Sequence, residues 1–145
     1  MYIRQISIFI ENKPGRLGAI CRVLADAGVN IATLSLADTS EFGIVRMIVD
    51  DHEKAARILS EASYVATVRE VVAVCVPDRP GGMADVMSTL DAAGVDVEYS
   101  YAFAFHRGGK AVLVFSFGDN AAAVKALEKA GHATLGENEL KEADK

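Results

Sequence analysis

The stretch Glu11-Asn12-Lys13-Pro14-Gly15-Arg16-Leu17-Gly18 returns 66 residues later as Pro77-Asp78-Arg79-Pro80-Gly81-Gly82-Met83-Ala84. Fourteen residues beyond Pro14 and Pro80 the copies close alike, on Gly28-Val29-Asn30-Ile31 and Gly94-Val95-Asp96-Val97. Self-similarity at a fixed spacing decides the architecture before any single element is assigned. Here it divides the 145 residues into two domains, 1–69 and 70–145. Units this small fold alone only marginally, because much of their surface stays wet, so the halves are expected to need packing partners. Two equivalent loops also argue for two equivalent sites and against a single-site enzyme.

Working outward from the loops, Ile6, Ile8 and Ile10 alternate with Ser7, Phe9 and Glu11, the period of a half-buried strand. Val72, Val74 and Val76 repeat that face. Pro14 and Pro80 then suit a helix start, where a missing amide proton costs nothing. Leu17, Ile20, Cys21 and Leu24 fall on one helical stripe, and Met83, Val86, Met87 and Leu90 on its counterpart. Gly28 and Gly94 stand where a left-handed C-terminal cap is wanted.

Second strands are expected over Asn30–Ala37 and Asp96–Phe105. Turns follow at Thr39-Ser40-Glu41-Phe42-Gly43 and His106-Arg107-Gly108-Gly109, the second longer by two residues. Third strands follow at Ile44–Val49 and Ala111–Phe117. Second helices open on Asp50-Asp51 and Gly118-Asp119-Asn120, whose short side chains cap free amides. Short extended segments, Tyr64–Val68 and His132–Leu135, close the copies. Each repeat therefore reads βαββαβ, a ferredoxin-like sandwich. The expected fold class is α+β: two such repeats side by side, one antiparallel eight-stranded sheet with four helices on one face.

Apolar residues make up 51% of the chain, which marks a globular protein. The net charge of −5 lacks the basic excess that binding a phosphate backbone needs, so no nucleic acid is expected. No apolar run reaches the roughly 18–20 residues that span a membrane. The opening Met1–Ile8 reads as strand and lacks a signal-peptide plan. Cys21 and Cys75 lie in apolar-periodic stretches with no Cys-x-x-Cys, so two reduced thiols and a cytoplasmic location are expected. Glu137, Glu139, Glu142 and Asp144, with Lys141 and Lys145, read as a solvated, frayed tail.

The chemistry is expected at the strand-to-helix turn. Glycine there lets the backbone turn sharply and a ligand approach closely. The first amides of the helix carry partial positive charge and favour a carboxylate. Asn12, and Asn30 at the opening of the adjacent strand, can accept from an ammonium group and donate to a carboxylate, which suits a zwitterion. Asp78 and Asp96 replace them in the second copy and, ionised, only accept, so the two sites should differ. The plain alternative is that Pro-Gly at such a junction is turn chemistry and nothing more.

Asn12-Lys13-Pro14-Gly15-Arg16-Leu17 with Gly28-Val29-Asn30-Ile31 resembles the ACT domain, a regulatory module of amino-acid metabolism. The resemblance covers nearly the whole chain as two tandem domains, without the catalytic domain to which such modules are usually fused. It implies a non-enzymatic allosteric sensor, needing no cofactor and no metal, with an amino-acid effector bound between two side-by-side domains. By the match, Asn12 and Asn30 contact the effector, with Gly15, Arg16, Leu17, Gly18 and Ile31 around it. Asp78, Gly81, Gly82, Met83 and Asp96 are the weaker second-repeat equivalents. The implied partners are a second copy of the chain or a regulated metabolic enzyme. A ligand-silent dimerisation module is the alternative, and Asp78 and Asp96 make it credible.

Other readings fit less well. An RNA-binding domain of the same strand order wants a basic surface and aromatics on its central strands. A metal-carrying ferredoxin-like domain wants a Cys-x-x-Cys in the first loop, where Asn12-Lys13-Pro14-Gly15 has no thiol. His52, His106 and His132 never share a repeat position, so no catalytic pair is indicated. Asp50-Asp51-His52-Glu53 reads as a capped helix start, not a metal cluster. Tyr99, Tyr101, Phe103 and Phe105 have no aromatic counterparts in the first copy. They are expected to face away from the helices and form an interface, with Tyr101 within reach of a ligand.

Overall fold

The alternating isoleucines and valines bury as their period demands. Ile6, Ile8 and Ile10 share a core with Ile20, Leu24, Val45, Met47, Ala55 and Leu59. Val72, Val74 and Val76 share another with Val86, Leu90, Phe115, Phe117, Ala123 and Leu127. In the computed structural model, which describes residues 1–39 and 41–143, these cores belong to two compact units, Arg4–Arg69 and Glu70–Lys145 with Met1–Ile3. Ser40 of the expected first turn, and Asp144 and Lys145 of the expected tail, lie outside the described residues.

The first unit contains β1 (Ile3–Glu11), α1 (Arg16–Asp26), β2 (Ile31–Asp38), β3 (Phe42–Val49) and α2 (His52–Glu61). Strand β4 (Val65–Pro77) begins in it. The strand order is β2-β3-β1, with β4 next, and Ala66 packs on the core. Both β1 and β2 are antiparallel to β3, so they run parallel to each other. Side chains from α1 and α2 meet the same sheet face, the one carrying Ile6, Ile8 and Ile10.

The second unit holds the rest of β4, then α3 (Gly82–Ala92), β5 (Val97–Arg107), β6 (Lys110–Phe117), α4 (Asn120–Lys129), β7 (Thr134–Leu135) and α5 (Glu137–Ala143). Its strand order is β7-β4-β6-β5. The α+β class and the repeated βαββαβ order stand.

The count differs from the expected eight strands and four helices: the described residues form seven strands and five helices. Tyr64–Val68 and the stretch around Val72–Val76 merge into the 13-residue β4, because no glycine, proline or turn residue interrupts Val65–Val76. The fifth helix is α5, where a frayed tail was expected. Leu140 is buried, and the Arg107 guanidinium donates to the Glu139 carbonyl at 2.8 Å, which together dock this short helix on its own unit.

Two irregularities shape β5. Val97 pairs with Phe117 but Tyr99 with Ser116, so one extra residue flips the strand. Val97 therefore faces the core, while Tyr99 and Tyr101, opposite Ser116 and Val114, face away from α3 and α4. Helix α5 packs against this strand, and Phe103 is buried. The chain's own helix thus covers part of the aromatic stripe. Between Ala102 and His106, β5 carries two residues more than β6. The extra length of the second copy lies in the strand, not in the turn, and the Phe103 and Phe105 rings meet within it, tilted at 39° with centroids 5.1 Å apart.

Gly18 and Gly82 open their helices in opposite surroundings. A Cβ on Gly82 would come within 1.9 Å of the Pro77 carbonyl oxygen, whereas one on Gly18 would meet nothing within 4 Å. Gly82→Ala should therefore cost about 1–3 kcal/mol in urea unfolding, and Gly18→Ala should gain up to about 1 kcal/mol. Equal effects would mean that α3 is not pressed on the end of β4. Cys75 is 5% exposed, and burial raises its thiol pKa. Because the thiolate is the reactive form, Cys75 in the native protein should need a higher pH for alkylation than in urea. Modification followed by mass spectrometry tests this, and coincident pH profiles would exclude it.

Candidate functional site

The junction after β1 turns on Gly15 at φ 85°, and the junction after β4 on Gly81 at φ 87°, backbone conformations that strain any side chain. Each glycine is the N-cap of the helix that follows, and neither helix receives a side-chain cap. The second helices differ: Asp51 accepts from the Lys54 amide and Asp119 from the Ala122 amide. In the first loop the Arg16 amide bonds Lys13 at 3.3 Å and the Ala19 amide bonds Gly15 at 3.0 Å. The amides of Leu17 and Gly18 between them have no acceptor among the described residues. An unmet pair of donors at a helix N-terminus is an anion-binding arrangement.

The side chains around this mouth are exposed and largely cationic. Lys13 meets Glu11 at 2.9 Å and Arg16 meets it at 3.7 Å. The Lys13 hydrogen bond, then the charges of Lys13 and Arg16, hold the Glu11 carboxyl below its ordinary pKa. The first turn of α1 contains no acidic residue. Asn12 is anchored: its side-chain amide donates to Asp38 Oδ2 at 3.1 Å and to the Thr39 carbonyl at 3.3 Å. That leaves its carbonyl oxygen to accept from a ligand.

Asn30 lies elsewhere. Its backbone amide donates to Asp50 Oδ1 at 3.0 Å, and Ile31 beside it packs on the core. Because β1 and β2 run parallel, the end of β1 and the start of β2 lie at opposite ends of the sheet. The eight residues of β2 span roughly 25 Å. One unit therefore does not bring Asn12 and Asn30 together.

The second loop repeats the glycine torsion and the turn hydrogen bonds and offers other chemistry. Asp78 Oδ2 lies 2.9 Å from His106 Nε2, at the place where Asn12 meets Asp38. Arg79 pairs with Asp85 at 3.3 Å, and Asp85 stands in the first turn of α3, where its charge already meets the helix dipole. Gly82 is buried against Pro77, while its counterpart Arg16 is exposed. Met83 is exposed at the mouth. Asp96, like Asn30, sits at the far end, its carbonyl accepting from Gly118 at 3.0 Å.

Asp38, Thr39 and His106 were missed from sequence. The register carried the signal, since 68 residues separate Asp38 from His106, the offset that holds from the two extra residues of β5 onward. Asp38 and Thr39 also line an open pocket of about 300 Å³ with Phe9, Phe42 and Ile44. Among the described residues no group of His, Cys, Asp or Glu is arranged to hold a metal, and no helix is long and apolar enough to cross a membrane.

The family model of the ACT domain pair matches residues 1–141. A solved structure of protein BT0572 from Bacteroides thetaiotaomicron is 34% identical and has a TM-score of 0.90, with 97% of this chain and 96% of that one covered. Regulatory subunits of aspartate kinase from Thermus thermophilus and Thermus flavus are similar in fold. They are 17% and 18% identical, with TM-scores of 0.63 and 0.59. The match covers 88% of this chain and 92% and 91% of theirs. No curated protein matches.

Proposed function

Since the chain belongs to the ACT domain pair family, we propose that it is a non-catalytic regulatory protein that binds a small amino acid at its first loop. The observation that carries this reading is the uncapped α1, whose Leu17 and Gly18 amides have no acceptor among the described residues beside the anchored Asn12. The effector's carboxylate would take those amides, with Arg16 near it and Gly15 admitting close approach. Its ammonium group would donate to the Asn12 carbonyl oxygen.

Asn30 belongs to this site only if a second domain supplies it. Strand β2 ends the strand order, and Leu34 and Leu36 on it are exposed. If two copies of the chain pair their β2 edges antiparallel, the start of one β2 meets the end of the other. Asn30 and Ile31 of one copy then arrive beside Asn12, Asp38 and Thr39 of its partner. Effector and assembly are linked in this arrangement: the ligand favours the state that completes its site, and a regulated partner reads that state. A cytoplasmic setting suits the two unpaired thiols. The ligand-silent reading is favoured for the second repeat alone, where Asp78 is engaged by His106 and Asp85 occupies the first turn.

Thermal unfolding against the twenty amino acids tests the sensor. Ligand at about 100 times its dissociation constant should add about 2.7 kcal/mol, a rise in Tm of roughly 5–10 °C. The rise should vanish in Asn12→Ala and Asn30→Ala and persist in Asp78→Asn. No rise for any amino acid at millimolar ligand would leave the dimerisation reading. Sedimentation tests the assembly: Leu34→Glu with Leu36→Glu should shift the protein to monomer and abolish the ligand effect together. A monomeric wild-type protein that still binds would exclude the shared site.

A further inference from the structure

Both repeats carry a pocket at the same place, where the sheet face turned away from the core helices runs into the hairpin between second and third strands. Register makes the positions equivalent: Phe9 pairs with Ile44 in the first repeat and Cys75 with Val112 in the second. In the first the pocket is mostly apolar, walled by Phe9, Phe42 and Ile44 with Asp38 and Thr39 at one side. In the second, Cys75 stands for Phe9 and Lys110 for Phe42, while Arg107 stands for Thr39 at the same offset. At these three equivalent lining positions two rings are removed and two cations introduced. Helix α5, which has no counterpart in the first unit, adds Glu139 to the wall.

The geometry points to a binding site for a small monocarboxylate with a short hydrocarbon chain, in the pocket of about 310 Å³ between β4, the β5–β6 hairpin, β7 and α5. Arg107 and Lys110 would hold the carboxylate. One donor of the Arg107 guanidinium is fixed on the Glu139 carbonyl at 2.8 Å, which positions the group and leaves its other donors for a ligand. The Lys110 ammonium makes no ion pair among the described residues. One Glu139 oxygen accepts from the Gly136 amide at 3.3 Å. Two cations and one carboxylate leave a single positive charge, which selects a monoanion over a dianion. Cys75 and Leu135, both buried, and Ala133 supply an apolar floor for a hydrocarbon chain. Burial keeps the Cys75 thiol protonated and neutral, against the pull of Arg107 and Lys110, so the floor does not repel an anion.

The probes are butyrate, inorganic phosphate and butanol, titrated at constant ionic strength into the full-length protein and read from backbone amide shifts. Butyrate should give a saturable shift at Gly108, Lys110, Leu135 and Gly136 with a dissociation constant in the millimolar range, as befits a ligand of few atoms. Lys110→Met keeps the stem and removes the charge, and should weaken butyrate roughly ten-fold or more. Lys110→Arg should retain it. Bound butyrate should also slow Cys75 alkylation. No saturable shift at butyrate concentrations up to tens of millimolar, an unchanged constant in Lys110→Met, or an equal response to phosphate or butanol would each overturn the proposal.

Discussion

A positive φ at one residue, Gly15, lets β1 end and α1 begin within five residues while the helix keeps its first donors turned outward. Any L side chain there would be strained. A conventional Ser, Thr, Asn or Asp cap would satisfy the amides that the glycine leaves open. The same residue therefore sets the angle at which α1 returns over the sheet, burying Ile20 and Leu24 on Ile6, Ile8 and Ile10, and the polarity of the loop above it. Core and site share one backbone torsion. Gly81 does the same for α3 and the valine core.

With the torsion common to both repeats, the mouths differ in their side chains and in how closely the chain approaches itself at Gly82. The first is open and rimmed by Lys13 and Arg16, with no acid in the first turn. The second is closed by Gly82 on Pro77 and furnished with its own carboxylates, Asp78 and Asp85, each engaged with a cationic or titratable neighbour. A duplicated scaffold has kept its helix starts and changed what they offer. The helices that carry side-chain caps, α2 and α4, show what closing such an end entirely requires.

How far sequence alone reached depends on how local each signal is. The isoleucine and valine alternation, the helical stripes, the αL glycines and the capping aspartates are all fixed by residues a few positions apart, and all were readable. The continuity of β4 was not, because it rests on the absence of a breaker between two strand patterns. Helix α5 was hidden by its composition: four acidic or basic residues around one leucine look solvated until Leu140 finds a surface. The separation of Asn12 from Asn30 was available in principle, since a βαβ crossover makes its strands parallel. It needed the topology to be followed through rather than the motif alone. The partners of Asn12 and Asp78 come from the far end of a strand two places away in the sheet, which no local pattern reports.

The two additional residues between Ala102 and His106 bear on how such a chain can change over generations. Side chains alternate with a period of two, so a pair inserted into a strand returns every later residue to its own face, while a single insertion would turn them all over. His106 therefore still reaches Asp78, and Arg107 and Lys110 still flank Cys75, although the strand before them has lengthened. Strands in this scaffold can gain material in even steps without disturbing the hairpin beyond.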